Sequence, residues 1–206
     1  MLKLYYAPGT CSLASHIALA EAGVDYETQR VNMGATEQRS DAYLAINPKG
    51  RVPVLITDDG PLSETVAILA YIAQRWPQAK LAPFDDAFAF AELQSFNAYL
   101  ASTVHVAQAH VVRGTRWADD PAALEAMKAK APSNIVDCFT LMETKMFKGP
   151  WVMGEGYTVA DPYLFTVSNW LDRDKIDRTQ FPKLNDHFER MKARPAVQKV
   201  LAEVNA

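Results

Sequence analysis

Leu2 to Tyr6 is a short apolar and aromatic run of strand length, and Ala7-Pro8-Gly9-Thr10 breaks it with turn-forming residues. From Leu13 the apolar residues Leu13, Ile17 and Leu19 recur among alanines at near-helical spacing, and Gly23 supplies a left-handed stop. Val24 to Val31 alternates in the manner of a second strand, and the polar stretch after it holds a short helix around Asp41 to Ala45 before Asn47-Pro48-Lys49-Gly50. Val52 to Thr57 is apolar and β-branched, and Asp58-Asp59-Gly60 turns it back into Pro61-Leu62-Ser63, which predicts an antiparallel hairpin. An apolar helix then opens at Glu64-Thr65 and runs to Trp76.

The pattern changes near residue 80. Pro77 and Pro83 bracket a connector, and no convincing strand follows. Leu93, Phe96, Leu100, Val104, Ala107 and Val111 fall three or four apart, predicting one long helix from about Asp86 to His110. Further helices are expected from Pro121 to about Lys145, Thr158 to Asp172 and Pro182 to Ala193, with a last one starting at Pro195, a favoured first-turn position for proline. The pattern therefore predicts an α/β unit over residues 1–80 and an all-helical unit over 86–206.

Composition narrows the function without choosing it. The 206 residues carry a formal net charge of −3 and 49% are hydrophobic, so an ordered core is expected and no basic face suggests nucleic acid. The longest nearly apolar stretch, Val66 to Ala73, falls far short of a membrane span, and Met1-Leu2-Lys3 opens onto no signal-peptide core. A cytoplasmic protein is expected, since its two cysteines, Cys11 and Cys138, make no disulfide framework. Cys138 falls in a helical stretch and reads as core.

Cys11 lies where strand and turn hand over to the first helix. Unpaired N–H groups at such a terminus favour a thiolate and lower a cysteine pKa, with Ser12 beside it as a hydroxyl donor or alternative cap. The other reading is a small buried apolar residue. Ala14 occupies the position a C-x-x-C pair would need, so any partner thiol comes from outside. Glu64 and Thr65 stand at another strand-to-helix junction, where a carboxylate, a hydroxyl and free N–H groups can hold the ammonium and carboxylate of an amino acid, or simply cap the helix. Thr158 and Asp161 fit a capping box, each accepting from the other's backbone N–H. His105, one step off its helix's apolar stripe, reads as a packing or a catalytic histidine; with no ligand set at suitable spacing, no metal site is expected. Phe96, Trp117, Met146 and Trp170 could line a pocket but equally read as core.

Together these stretches resemble the glutathione transferases, most closely the bacterial beta class. The likeness covers essentially the whole chain, through Lys3-Leu4-Tyr5-Tyr6, Pro8 to Leu13, Asn47 to Pro53, Leu62 to Ile68 and Thr158 to Phe165. It implies a thioredoxin-like N-terminal domain that binds glutathione as co-substrate, and an all-α C-terminal domain that supplies most of the electrophile pocket. It also implies a homodimer. Cys11 becomes the residue facing the glutathione sulfur and His105 a histidine approaching that thiol. Val52 pairs with the cysteinyl backbone, and Glu64 and Thr65 hold the γ-glutamyl end. Pro53, expected trans on general grounds, becomes a cis-proline. Arg51 replaces a common glutamine or tyrosine. Ser12, Tyr5 and Tyr6 lie near hydroxyls that other classes use, and Pro162 predicts a slightly weakened helix start. The implied reaction is conjugation of glutathione to small apolar electrophiles. The rival readings are monothiol disulfide reduction through a Cys11 mixed disulfide, and ligand binding without catalysis.

Overall fold

The computed structural model describes residues 1–205. Its N-terminal part is a four-stranded mixed sheet built from β1 (Lys3–Tyr6), β2 (Glu27–Arg30), β3 (Val54–Thr57) and β4 (Gly60–Ser63), in the order β2-β1-β3-β4. Helix α1 (Ser12–Glu21) carries the chain from β1 to the parallel β2, as a parallel pair requires. The other two pairings are antiparallel, with Leu4 opposite Leu55 and Leu55 opposite Leu62. The four residues of β2 are all exposed, which suits a polar edge strand, whereas Val54 and Leu55 in the interior are fully buried. The short helix α2 (Asp41–Leu44) and α3 (Thr65–Arg75) complete this part.

Among the described residues six α-helices follow: α4 (Ala87–Tyr99), α5 (His105–Val112), α6 (Pro121–Leu141), α7 (Ala160–Asn169), α8 (Pro182–Lys192) and α9 (Pro195–Asn205). The rod expected from Asp86 to His110 is continuous, but its bonding widens to a π-type turn over Leu100–Val104, just before His105. A similar turn over Met142–Met146 extends α6 to about its expected end. One apolar core runs through both parts, from Leu4 and Leu55 through Ile68 and Ile72 to Phe96, Phe139 and Leu164, and it includes Cys138. Arg194 grips Glu21 at 2.6 and 2.7 Å, joining the end of α1 to the start of α9.

The Thr158–Asp161 box closes in one direction only. Asp161 accepts the Thr158 N–H at 2.7 Å, but the Thr158 hydroxyl accepts from Ala160 at 3.3 Å, not from Asp161. The carboxylate is instead spent on wider ties, accepting the Val152 N–H at 2.8 Å and standing 3.0 Å from His187 Nε2. Pro162 falls in the first turn of α7, where an N–H has no partner within the helix, so its missing donor removes nothing the helix would use.

Candidate active site

A cleft of about 140 Å³ opens between the sheet and the helices. On the sheet side it is formed by the β1–α1 turn, the segment leading into β3 and the β4–α3 turn, and on the helical side by α5 and the turn after it. Cys11, Arg51, Val52, Pro53, Glu64, Thr65 and His105 all line it.

Ser12 does not. Its side chain is fully buried in the β1–α1 turn, where the hydroxyl accepts the Ala7 N–H at 3.1 Å and lies 2.7 Å from Thr10 Oγ1, which itself reaches the Ala7 carbonyl at 2.7 Å. These bonds fold the turn that presents Cys11, and they leave Ser12 directed away from the cleft.

The expectation of an acidified Cys11 is also corrected. Burial pushes the thiol up, and this outweighs the Thr65 hydroxyl and the Arg113 charge, which pull it down, while Glu64 adds to the rise. The thiol donates toward the Val52 carbonyl at 3.6 Å, a bond that only the protonated sulfur can make. That carbonyl belongs to a cis Val52–Pro53 unit, and the residue before it is clamped, its carbonyl accepting from Tyr43 Oη at 2.8 Å and Asn47 Nδ2 at 2.7 Å.

Glu64 stands at the head of α3 with φ +77°, an unusual conformation for a residue with a side chain. Its carboxylate makes no cap bond to the helix, so the simple capping reading fails; it is held by Lys49 Nζ at 2.7 Å, which also reaches Ser63 Oγ at 3.0 Å. Thr65, buried as the first helical residue, brings the unpaired N–H groups of α3 to the same corner.

His105 packs its ring against Trp170 at 4.9 Å between centroids. Burial, and then Arg113, Arg116, Arg173 and Arg51, lower its pKa to about 4. It is a neutral imidazole at neutral pH, able to donate or accept one hydrogen bond. Of the four aromatic and methionine candidates, Trp170 lines a small hollow next to the cleft, Phe96 is core, Met146 packs against the core, and Trp117 is 46% exposed against His110.

Among the lining residues that the sequence reading did not assign to the site are Met33, Ala101, Arg113, Arg116 and Tyr163. Burial pushes the Tyr163 phenol far up, so it stays protonated. The only signal for the arginines was their three-residue spacing just past a helix end. Among the described residues no helix is long and apolar enough to cross a membrane.

Two family models cover most of the chain: "Glutathione S-transferase, N-terminal domain" matches residues 1–74 and "Glutathione S-transferase, C-terminal domain" residues 109–203. A curated relative, glutathione S-transferase GstA of Escherichia coli O157:H7, is 34% identical over 98% of both chains. The chain belongs to the glutathione S-transferase family. Among solved structures, a glutathione transferase homologue from Sulfitobacter with bound glutathione superposes on this transferase with a TM-score of 0.95 at 45% identity, over 98% of both chains. A beta-class glutathione S-transferase from Sphingomonas chungbukensis does so with a TM-score of 0.85 at 33% identity, again over 98% of both. The thioredoxin-like and all-helical architecture of this transferase is that of its family.

Proposed function

We propose that this transferase is a beta-class enzyme that binds glutathione across the Val52 edge and delivers its sulfur to a small electrophile. The observation that carries the reading is the gathering of Cys11, Val52-Pro53, Glu64-Thr65 and His105 around one cleft. Val52 offers backbone bonds to the cysteinyl part, Glu64 takes the γ-glutamyl ammonium, and Thr65 with the α3 N–H groups takes the adjoining carboxylate. Arg51 meets the glycyl carboxylate. A Cys11 that stays protonated is a hydrogen-bond donor to the glutathione sulfur and does not compete with it as a thiolate. Neutral His105 offers a second donor, and the positive potential of the surrounding arginines lowers the pKa of the bound thiol. Residues 1–80 act as the glutathione-binding domain and 86–206 as the electrophile-binding domain of a cytoplasmic homodimer.

The test is the rate of conjugation to a chloro-dinitro-aromatic compound at saturating glutathione, for wild type and Cys11→Ala. The expected result is a wild-type rate well above background and about a tenfold to hundredfold loss in the variant, the worth of one charge-assisted hydrogen bond. Failure of the wild type to bind glutathione at millimolar concentration would sink the reading.

One observation favours a second activity. Cys11 lies in the cleft while Cys138, the other free cysteine, is buried in the core, which suits a monothiol cycle. In that cycle Cys11 reacts through its minor deprotonated fraction, attacking a glutathionylated substrate and expelling the substrate thiolate, which takes up a proton; a second glutathione thiolate then displaces Cys11 and leaves as glutathione disulfide. Reductase activity surviving in Cys11→Ala would remove this reading.

A further inference from the structure

The charges around the cleft do not balance. Arg51, Arg113 and Arg116 line it, and none has an ion-pair partner among the described residues. The carboxylate among the lining residues, Glu64, is already engaged by Lys49 at 2.7 Å. In the reading above, glutathione satisfies the sheet side: its ammonium goes to Glu64, one carboxylate to Thr65 and α3, the other to Arg51. The two arginines on the helical wall are left over.

Their placement is built. After α5 the chain tightens into a 3₁₀ turn over Gly114–Arg116, with the Arg116 N–H on the Arg113 carbonyl at 3.1 Å. Arg113, the residue before this turn, and Arg116 at its end both line the cleft. The turn is seated on α6 through Gly114: a Cβ there would meet Leu124 Cδ2 at 3.0 Å. Partial desolvation first, and then the like charges of Arg113, Arg51 and Arg39, loosen the hold of Arg116 on its proton. Beside the cleft lies a second hollow that shares Cys11, His105 and Arg113 with it and is walled by Trp170 and Val112. That hollow has about 20 Å³, room for little more than a water, so the body of a second substrate belongs in the cleft of about 140 Å³, where Val66 and Ala101 offer apolar surface and a negative group reaches the arginines.

We propose that the electrophile this transferase takes is an anion, a carboxylate-bearing compound with an apolar or aromatic body, selected by Arg113 and Arg116. The inference rests on the transferase reading and deepens it. It narrows the small apolar electrophile that the family resemblance implies to one that also carries a carboxylate.

The test compares chloro-dinitrobenzoate with uncharged chloro-dinitrobenzene as substrates of the full-length enzyme, each rate divided by its uncatalysed reaction with glutathione. In both, the glutathione sulfur forms the new C–S bond with its own electron pair, chloride leaves with the pair of the C–Cl bond, and the thiol proton passes to water. The expected result is an enhancement about tenfold greater for the benzoate, the worth of one hydrogen bond to a charged group. In the double variant Arg113→Gln, Arg116→Gln the ratio falls toward one. Dinitrobenzoate, which lacks the leaving group, should compete with the benzoate substrate in wild type and lose that competition in the variant. Equal enhancements in wild type, or a preference that survives in the variant, overturn the proposal while leaving the transferase reading intact. Turnover of neither compound by enzyme that binds glutathione overturns both.

Discussion

Two histidines of the helical half are held in opposite ways. His187 on α8 is fully buried, and its Nε2 lies 3.0 Å from the equally buried carboxylate of Asp161, which also collects the N–H groups of Val152 and Thr158. His105 on α5 lines a cleft, and the charges around it are arginines. The first arrangement draws its groups onto one carboxylate and leaves only His187 Nδ1 without a partner, as a network that maintains a fold largely must. The second gathers cations around a base that cannot neutralise them. Folding stability alone gives no reason to build it; an anionic visitor does.

The sharpest way to break this contrast is to remove the carboxylate from the closed network. Asp161→Ala strands three buried donors, those of Val152, Thr158 and His187, and should destabilise the protein by about 3–5 kcal/mol in urea unfolding. A loss below about 1 kcal/mol would mean that water or a shifted neighbour replaces Asp161 easily, and the network would no longer count as the lock between α7 and α8.

At the open site the effect should depend on pH. His105 has a native pKa of about 4, below the ordinary value of 6.5 that it regains on unfolding. Between these values the unfolded chain binds the extra proton, so stability rises with pH through that window: the His105 contribution is full above about 6.5, is lost as pH falls, and levels off below about 4. The whole swing is of order 3 kcal/mol at most, from the size of the shift. His105→Gln should flatten this part of the stability–pH curve, read as urea midpoints at mildly acidic and neutral pH. An unchanged slope would show that the histidine is solvated.

What could be read from the chain divides along the same line. Strands and helices were legible because turn residues punctuate them: Ala7 to Thr10, Asp58 to Gly60 and the prolines at 121, 182 and 195 stand at element boundaries. The π-type turn before His105 was not, because apolar residues three or four apart continue through it unchanged. Cys11 was placed correctly at its helix terminus, but its acidity was misjudged, since desolvation comes from residues that pack over it from elsewhere in the chain. Ser12 is the neighbour of Cys11 in sequence yet faces the interior of the turn. Arg113 and Arg116 flank a turn that docks on α6 through Gly114, a contact that no local pattern encodes.

Glu64 sharpens the comparison from the sheet side. With φ +77° and no cap bond, it is held in a strained conformation that turns its carboxylate off the helix and onto Lys49, with acceptor capacity left for a ligand ammonium. Glu64→Gly relieves the backbone and should leave stability unchanged or raise it by about 1 kcal/mol, while glutathione affinity falls at least tenfold. Thermal unfolding and equilibrium binding measured on the same preparation separate the two. A variant that is both weaker in binding and less stable would show that the Lys49–Glu64 pair is a structural tie.

The smallest effect is the one that most directly asks whether the open site is strained by its own charges. Arg116 is exposed at its turn and faces Arg113 and Arg51 with no carboxylate in an ion pair, so Arg116→Gln should stabilise the protein, by no more than about 0.5 kcal/mol. Because the interaction is between solvated charges, the gain should be clearest at low ionic strength and should shrink as added salt shortens the Debye length toward the spacing of the side chains. A carboxylate-bearing electrophile should reverse the order, since it stabilises the native state in proportion to its affinity and the wild-type arginine binds the anion better. Thermal midpoints of wild type and variant, at low and high salt and with and without dinitrobenzoate, test the sign as well as the size. A variant less stable than wild type in the absence of ligand would place Arg116 with Asp161 and His187 among the residues that hold the fold, and the contrast between the closed network and the open one would fail at that residue.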